Sequence, residues 1–428
     1  MNINSQKIDN KAREICNILQ TAGFQAYIVG GCVRDLLLET TPKDWDICTD
    51  ASPEEVMSLF PKTYPTGLQH GTVTVSMGDT KELHYEVTTF RVDGDYTDGR
   101  HPDNVQFVKE VELDLLRRDF TINAMAYNPI TNRLIDPFFG IVDLQNKVLR
   151  AVGHPVERFT EDSLRVMRAA RFASRLNYTI EHTTLTGMAV CSHMLENVSK
   201  ERIKDELVKI LQTSNPSVGL RLLYDTEAFE FIIPGFHKTT HELRNDFISI
   251  DKCDGMYETK LAILMFDQGS TESIDGTLRS MTFSNNEIDN VLFILNTLHV
   301  MEQLYVEWSS ATRLPPIAVR RGLAFIKNNA PYGYGQGLNE FMQFVEAIKL
   351  GGMLYDLTIN RNQLVWARNE LQISGKDLIA MGIAPGPQFK KLLDEAYEEI
   401  ILNPDNNNKE HLTRFIRSWL YPVDVIET

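Results

Sequence analysis

Two aspartates separated by a single residue, Asp44 and Asp46, lie in the stretch KDWDICT. The alternation of residue types here predicts a β-strand, and residues i and i+2 of a strand point to the same face. Two carboxylates on one face repel each other unless a cation lies between them or water solvates both. Mg²⁺ prefers oxygen ligands and usually takes one or two protein carboxylates together with substrate phosphates. The pair therefore indicates either a magnesium site or a solvated strand edge.

A glycine pair precedes these aspartates. Gly30 and Gly31 follow the apolar run AYIV, which predicts a strand, and CVRDLLL after them has helical spacing. Backbone N–H groups at a helix N-terminus favour phosphate oxygens, and Arg34, one turn into the helix, can add a charged donor. The alternative is a tight turn with a surface arginine. Taken with Asp44 and Asp46, the segment predicts one triphosphate–metal site.

A third polar cluster, Arg117-Arg118-Asp119, lies in the stretch LLRRDFTINAMAY, where we expect Thr121 to open a helix. An aspartate can accept a hydrogen bond from a ribose 2′-hydroxyl, which favours ribonucleotides, and the adjacent Arg118 can hold phosphate. The alternative is an aspartate that caps the helix next to surface arginines.

A fourth cluster, EDSLRVMRAAR, has helical spacing. Arg165, Arg168 and Arg171 follow one another at i, i+3 and i+6 and spread over one broad face. The alternative without a binding role is an amphipathic helix with a solvated basic stripe. The apolar residues of the same helix are expected to pack elsewhere: Leu164, Met167 and Phe172.

An acid–arginine pair in this cluster, Asp162 and Arg165, has the chemistry to read a base. Cytosine N4 and adenine N6 are amino donors that a carboxylate can accept. Cytosine O2 and N3 and adenine N1 are acceptors that a guanidinium can serve. Uracil and guanine would leave donors or acceptors unpaired, which is the costly outcome in a closed site.

These clusters lie on two kinds of predicted structure. A helix over 5–22 precedes the strand at 26–29, Ser52 and Pro53 begin another helix by capping, and further strands are predicted at 72–77, 83–90 and 105–108. The polar segment 91–104 is predicted to be a loop or irregular hairpin. From about residue 111 the pattern is helical, and strand patterns are scarce after residue 136. The order predicts an α+β chain, with a small α/β head and a long all-α region.

Composition narrows the class of protein. The net charge of −15 argues against a broad nucleic-acid-coating surface, although residues 150–175 hold six arginines against three acids. The wide spacing of the five cysteines predicts buried free thiols rather than disulfides or a zinc site. No long apolar run and no apolar N-terminal stretch are present, so we expect a cytoplasmic protein without a membrane span.

The segment GGCVRDLLL with KDWDICT resembles the signature of the class II tRNA nucleotidyltransferases and bacterial poly(A) polymerases, members of the polymerase-β superfamily. The resemblance implies a polymerase-β-like head and a two-metal Mg²⁺ mechanism with ATP and CTP as substrates and the tRNA 3′ end as acceptor. It implies that Asp44 and Asp46 hold the metal, and that Gly31 and Arg34 contact the nucleotide. Glu86 is the candidate third carboxylate, and its alternative is a solvated strand residue or a partner of Arg91.

The other clusters match the same family. The stretch LLRRDFTINAMAY matches nearly residue for residue, and the EDxxR pattern is similar to the base-reading motif of the family. The match assigns the following residues to the nucleotide: Arg118, Asp119, Asp162, Arg165, Arg168 and Arg171. SKERIKDEL resembles the neck helix, where Glu201 and Arg202 are expected to brace the base-reading turn.

The C-terminal part of the chain resembles the helical tail of relatives without a hydrolase domain, and no His-Asp dipeptide occurs. Exposed lysines there are candidates for the tRNA backbone: Lys376, Lys390 and Lys391. The predicted organisation is a head at 1–150, a neck at 151–225, a body at 226–345 and a tail at 346–428.

Within the family the sequence favours addition of C, C and A. CC-only relatives typically lack part of the loop between the metal and RRD motifs, whereas residues 91–102 look complete. GLQHGTVTV resembles the CCA branch more than the poly(A) branch. A-only addition and poly(A) synthesis stay open, as does a non-catalytic RNA-binding relative. A signalling nucleotidyltransferase that acts on a small molecule or protein is disfavoured by the RNA-type tail. No protein partner is implied.

Overall fold

A computed structural model describes residues 3–78, 80, 83–94, 104–307 and 316–420. The chain divides into two compact units, Met1–Phe236 and His237–Thr428. The finer predicted division of the helical part into neck, body and tail stays a prediction.

The first unit is built on a mixed β-sheet. Within the described residues its strands are β1 (Ala26–Val29), β2 (Asp46–Thr49), β3 (Thr63–Gly67), β4 (Thr72–Ser76), β5 (His84–Thr89), β8 (Ala126–Asn128) and β9 (Arg133–Ile135), in the order β3-β4-β5-β2-β1-β8-β9. Two short strands, β6 (Arg91–Asp93) and β7 (Val105–Phe107), form a separate antiparallel pair. The strands predicted near 72–77, 83–90 and 105–108 are therefore confirmed.

The register of three strands positions the aspartates. β1 pairs antiparallel with β2, so that Val29 lies opposite Asp46, and the Gly30 turn comes next to the start of β2. β2 pairs parallel with β5, and this register places Glu86 beside Asp46. The strand begins at Asp46, and Asp44 lies in the preceding turn. Asp44 is therefore not part of the strand, and the prediction that strand alternation points Asp44 and Asp46 to the same face is wrong.

The head also contains helices that accompany the sheet. Those of the head are α1 (Asn10–Thr21), α2 (Gly31–Leu37), α3 (Pro53–Leu59), α4 (Val111–Leu116) and α5 (Gly140–Asn146). α1 begins later than predicted because Ser5–Lys7 form a separate 3₁₀ turn and the Asp9 side chain caps α1 by accepting a hydrogen bond from the Ala12 backbone. Ser52 caps α3 and Pro53 begins it, as predicted, and Glu55 completes a capping box with Ser52. The helix expected at Thr121 is only the 3₁₀ turn Thr121–Asn123.

A helical layer follows the head within the same unit. Its helices are α6 (Pro155–Glu161), α7 (Leu164–Leu176), α8 (His182–Cys191), α9 (Lys200–Leu211), α10 (Pro216–Asp225) and α11 (Phe229–Ile232). α7 packs against α9 and α10 through small and apolar residues, among them Val166, Ala169, Ala170 and Ala173. A short parallel pair, β10 (Val148–Leu149) with β11 (Thr179–Ile180), interrupts the predicted all-α region.

The second unit is helical throughout its described residues. Its helices are α12 (Thr240–Lys252), α13 (Tyr257–Met265), α14 (Thr271–Ser280), α15 (Asn285–Glu307), α16 (Pro316–Asn329), α17 (Tyr334–Ala347), α18 (Gly351–Asn360), α19 (Gly375–Ala380), α20 (Pro387–Leu402) and α21 (Lys409–Leu420). α13 packs against both α15 and α17. In neither unit does any described helix have the length and apolar character needed to cross a bilayer. All five cysteines are buried and free, as predicted.

A close approach between α7 and α10 yields a test of this packing. A Cβ at Gly219 would lie 2.7 Å from the Ala170 carbonyl oxygen and would also meet Ser174 Oγ. We expect Gly219→Ala to lower the free energy of unfolding by about 1–3 kcal/mol, because the two helices would have to separate. Urea denaturation followed by circular dichroism measures this change.

The matched control is Gly276→Ala in α14, where a Cβ meets no atom within 4 Å. This substitution should be neutral or should stabilise by up to ~1 kcal/mol, because alanine favours helix. Equal destabilisation by the two variants would show that close packing of α10 on α7 is not the cause.

Candidate functional site

All the predicted site residues of the first unit except Glu86 line one cavity of about 600 Å³. Its cationic side chains are Arg34, Lys43, Arg117, Arg118, Arg165, Arg168, Arg171, Arg175 and Arg202. Its acidic side chains are Asp35, Asp44, Asp46, Asp119 and Asp162. Nine positive groups against five negative ones leave an excess of four positive charges, in a chain whose net charge is −15. An acidic protein therefore concentrates positive charge at one concave site, which suits an anionic ligand.

Asp44 and Asp46 line this cavity, and Glu86 lies beside Asp46 on the neighbouring strand. Desolvation by surrounding protein atoms raises the pKa of Asp46, Arg118 opposes this rise and Asp44 adds to it. Burial likewise raises the pKa of Glu86, with added repulsion from Asp46 and Asp44. The three acids thus share one negative field, a repulsion that a divalent cation relieves.

Of the three carboxylates proposed as metal ligands, Asp44 and Asp46 line the cavity. Glu86 is not among the lining residues. Within the described part of the chain, no three His, Cys, Asp or Glu side chains form a group that could hold a metal ion. Two carboxylates completed by phosphate oxygens still fit the preferences of Mg²⁺. The donor set of the pair therefore fits the implied metal, whereas a third protein ligand from Glu86 stays a prediction.

The glycine turn approaches the site closely. Gly30 has φ +82°, and a Cβ here would lie 2.9 Å from Arg118 Nη1 and 3.8 Å from Asp46 Oδ2. Its backbone N–H donates to the Met125 carbonyl at 3.1 Å. Only glycine allows both the backbone angle and the contact with Arg118.

Arg34 is not the surface residue that the simpler interpretation offered. Its side chain is 3% exposed, and its guanidinium donates to Asp35 at 2.7 Å and to Asn123 at 2.6 Å. Asp35 also pairs with Arg175 at 3.4 Å. Arg34 therefore faces the cavity in a fixed orientation.

The RRD cluster is held in the same way. Asp114, fully buried in α4, accepts from Arg117 at 2.8 Å and from Arg118 at 3.2 Å. Asp119 accepts from the Phe120 backbone and, at 2.6 Å, from Arg168. Burial alone would raise the pKa of Asp119, but Arg168, Asn123 and Arg165 together outweigh this effect and the pKa falls to about 2. Asp119 is therefore ionised at neutral pH.

The EDxxR cluster is not one continuous helix. α6 ends at Glu161, Asp162 is extended with φ −144°, and α7 begins at Leu164. Asp162 accepts from Arg202 at 2.8 Å, the contact expected of the neck helix, whereas Glu201 is exposed. The helical spacing predicted for the whole EDSLRVMRAAR cluster is therefore wrong at Asp162 and holds only from Leu164.

Arg165 and its neighbours on α7 have partners of their own. Arg165 donates to Glu161 at 2.5 Å, and it also donates to the Arg117 carbonyl at 3.3 Å. Arg171 donates to Glu206 at 2.6 Å. The basic stripe is consequently not solvated but lies against the head, where these side chains line the cavity.

Sequence reasoning missed the residues that hold the arginines. These are Asp35, Asp114, Asn123 and Glu206. Asp114 was recognisable at helical spacing before Arg117 and Arg118, but Glu206 is distant in sequence from Arg171. Leu164 and Phe172 were expected to pack elsewhere, yet both line the cavity.

The remaining predicted residues are not among those that line this cavity. Lys376, Lys390 and Lys391 are exposed in the second unit, and Lys391 Nζ lies 4.8 Å from the Trp419 ring centroid. Arg91 pairs with Asp93 at 2.9 Å. Most of the segment expected to influence nucleotide choice, residues 95–102, lies outside the described residues.

Family models match three parts of the chain. The poly A polymerase head domain matches residues 26–150, the "Probable RNA and SrmB- binding site of polymerase A" matches 177–239, and tRNA nucleotidyltransferase domain 2 matches 343–416.

Curated relatives extend the match to nearly the whole length. The CCA-adding enzyme of Oceanobacillus iheyensis is 46% identical over 427 residues, 96% of each chain. That of Ligilactobacillus salivarius is 37% identical over 407 residues, 94% of each chain.

Solved structures agree. The crystal structure of the Bacillus stearothermophilus CCA-adding enzyme in complex with CTP is 31% identical, with a TM-score of 0.77 over 97% of this chain and 100% of that one. A Thermotoga maritima CCA-adding enzyme, 23% identical with a TM-score of 0.69, supports the fold alone. The charged cavity, the three family matches and the full-length relatives together show that this chain is a nucleotidyltransferase and belongs to the family of CCA-adding tRNA nucleotidyltransferases.

Proposed function

We propose that this enzyme adds C, C and A to the 3′ end of tRNA in the cytoplasm, using CTP and ATP with Mg²⁺ and releasing diphosphate. The observation that carries the proposal is a single cavity in which a carboxylate pair and a surplus of arginines meet. The relatives that share nearly the full length of the chain are named CCA-adding enzymes, and one solved relative holds CTP.

Asp44 and Asp46 are the residues that would hold Mg²⁺. When bound there, the metal supplies activation of the attacking 3′-hydroxyl and charge neutralisation on the triphosphate. Arg34 and Arg118 face the cavity beside the Gly30 turn, so they orient the phosphates towards the carboxylate pair.

Asp119 suits the ribose. Its carboxylate already accepts from Phe120, Asn123 and Arg168. A carboxylate has about four acceptor positions. Arg168 donates through both Nε and Nη2, so a bound 2′-hydroxyl would take the place of one of these donors. The Asp119 pKa of about 2 keeps this carboxylate an acceptor at neutral pH, which favours ribonucleotides over deoxyribonucleotides.

Asp162 and Arg165 suit the base. Arg202 holds the first and Glu161 holds the second, so both side chains meet the nucleotide in fixed orientations. Asp162 can accept from the amino group of cytosine or adenine, and Arg165 can donate to their ring acceptors. Uracil and guanine would leave buried groups unpaired, which costs about 1–3 kcal/mol for each group.

The product assay decides between the members of the family. Purified protein, Mg²⁺ and a tRNA lacking CCA should yield two added residues with CTP alone and three with CTP and ATP together. Sequencing of the extended 3′ ends measures this outcome. Addition of A only to a tRNA that already ends in CC would establish the A-only activity instead, and long A tails would indicate a poly(A) polymerase. Binding of tRNA without any incorporation would indicate a non-catalytic relative.

Loss of one carboxylate tests the metal assignment. We expect Asp46→Asn to reduce kcat about a thousandfold or more, because several kcal/mol of transition-state stabilisation depend on the metal. Binding of tRNA, measured by gel shift, should persist. Asp289→Asn, at an exposed position of α15, is the control and should retain activity. Turnover by Asp46→Asn close to that of the unaltered enzyme would refute the assignment.

The glycine pair provides an internal comparison. Gly30→Ala should lower the free energy of unfolding by about 1–3 kcal/mol, because φ +82° is strained for alanine and the new Cβ meets Arg118. Gly31→Ala should change it by less than ~0.5 kcal/mol, since its Cβ would make an ordinary 3.5 Å contact with Arg34. Chemical denaturation of both variants measures the difference. Equal stability of the two would contradict the close approach at Gly30.

A further inference from the structure

Three guanidinium groups surround one aromatic ring in the cavity. The Cζ atoms of Arg34, Arg168 and Arg171 lie 5.3, 5.6 and 4.5 Å from the centroid of the Phe172 ring. All four side chains line the cavity. Arg34 belongs to α2 in the head, whereas the other three residues belong to α7. The ring is therefore the point at which the cationic groups of two elements meet.

Each of these arginines also has its own acidic partner. Arg34 pairs with Asp35, Arg168 with Asp119 and Arg171 with Glu206. Phe172 is the feature that the three share, and it is only 5% exposed.

Like charges so close together repel one another. Burial lowers the pKa of Arg171, and the charge of Arg168 lowers it further against the opposing effect of Glu206. An aromatic face attracts cations through its quadrupole, and the attraction grows when water is excluded. A ring at this position offsets part of the repulsion without adding a negative charge that would repel phosphates.

The ring itself is held in one orientation. Phe120, fully buried next to Asp119, contacts Phe172 with centroids 5.7 Å apart and an interplanar angle of 75°. Edge-to-face pairs of this kind fix the direction of the ring. The RRD cluster thereby determines how Phe172 presents its faces to the arginines.

We propose that Phe172 is a positioning residue that makes Arg34, Arg168 and Arg171 converge on the phosphates of the incoming nucleotide. The proposal rests on the proposed nucleotidyl transfer, because it assumes that this cavity binds a nucleoside triphosphate. Phe172 does not touch the reacting atoms. It acts through the guanidiniums, so its effect increases with the number of phosphates on the ligand.

Nucleotide binding without tRNA tests this role. Calorimetric titration of CTP and of CMP should be carried out on the unaltered enzyme, on Phe172→Leu and on Phe172→Tyr. Leucine keeps an apolar side chain but lacks an aromatic face, so its affinity for CTP should fall about tenfold. Its affinity for CMP should change less than threefold, because fewer phosphates depend on the arginines. Tyrosine keeps the ring and should restore CTP binding to within about threefold of the unaltered enzyme.

Steady-state kinetics add a second readout. Phe172→Leu should raise KM for CTP and for ATP together, with a smaller change in kcat, since the base-reading pair is unaltered. Phe90→Leu is the matched control, because Phe90 is a fully buried phenylalanine that stacks on Tyr27 and does not line the cavity. It should lose stability but keep the ratio of CTP to CMP affinity.

Different outcomes would contradict the positioning role of Phe172 and the proposed nucleotidyl transfer. An equal loss of CTP and CMP affinity in Phe172→Leu, or failure of tyrosine to restore CTP binding, would overturn the positioning role. Absence of CTP binding by the unaltered enzyme would overturn the proposed function instead. If Phe172→Leu does not fold, Phe172→Met fills the same space without an aromatic ring and replaces it in the comparison.

Discussion

The constraint on which this structure depends is the repulsion among cationic side chains that converge on one cavity. An excess of four positive charges lines it. Buried arginines are tolerated when each guanidinium has a carboxylate or an oxygen partner that orients it. Asp35, Asp114, Asp119 and Glu206 supply such partners, and each comes from a different element of the first unit. The first unit is thus organised around charge pairs that orient the guanidiniums lining the cavity.

These pairs also join the head to the helical layer. Arg168 on α7 reaches Asp119 in the head, Arg175 reaches Asp35, and Arg165 reaches the Arg117 carbonyl. Contacts of this kind are directional, so a small rotation of α7 would break several of them at once. The close packing of α10 on α7 fixes that helix from its other side. The orientation of the cavity-lining arginines of α7 therefore depends also on a helix interface whose Gly219 does not line the cavity.

Much of this organisation could be predicted from the sequence. The strand at Ala26–Val29, the cap at Ser52 and the order of head and helices follow from local patterns. The position of Asp44 in a turn and the break at Asp162 could not, because both depend on where tertiary contacts end a strand or a helix. Glu206 and Phe172 were missed for the same reason. Local periodicity in a sequence predicts which residues share one face of a helix. The contacts of Glu206 and Phe172 depend instead on which other elements pack against that face.

The pairing of arginines with acids bears on how a protein without a nucleic-acid template selects a base. Asp162 and Arg165 each have a partner, so neither must reorganise to meet a nucleotide. A donor–acceptor pattern fixed in advance discriminates through the groups that a wrong base leaves unpaired, and the penalty is large only where water cannot substitute. Leu164 and Phe172 supply apolar lining beside these charged groups. Selectivity for cytosine and adenine would therefore depend as much on the exclusion of water as on the hydrogen-bonding pair itself.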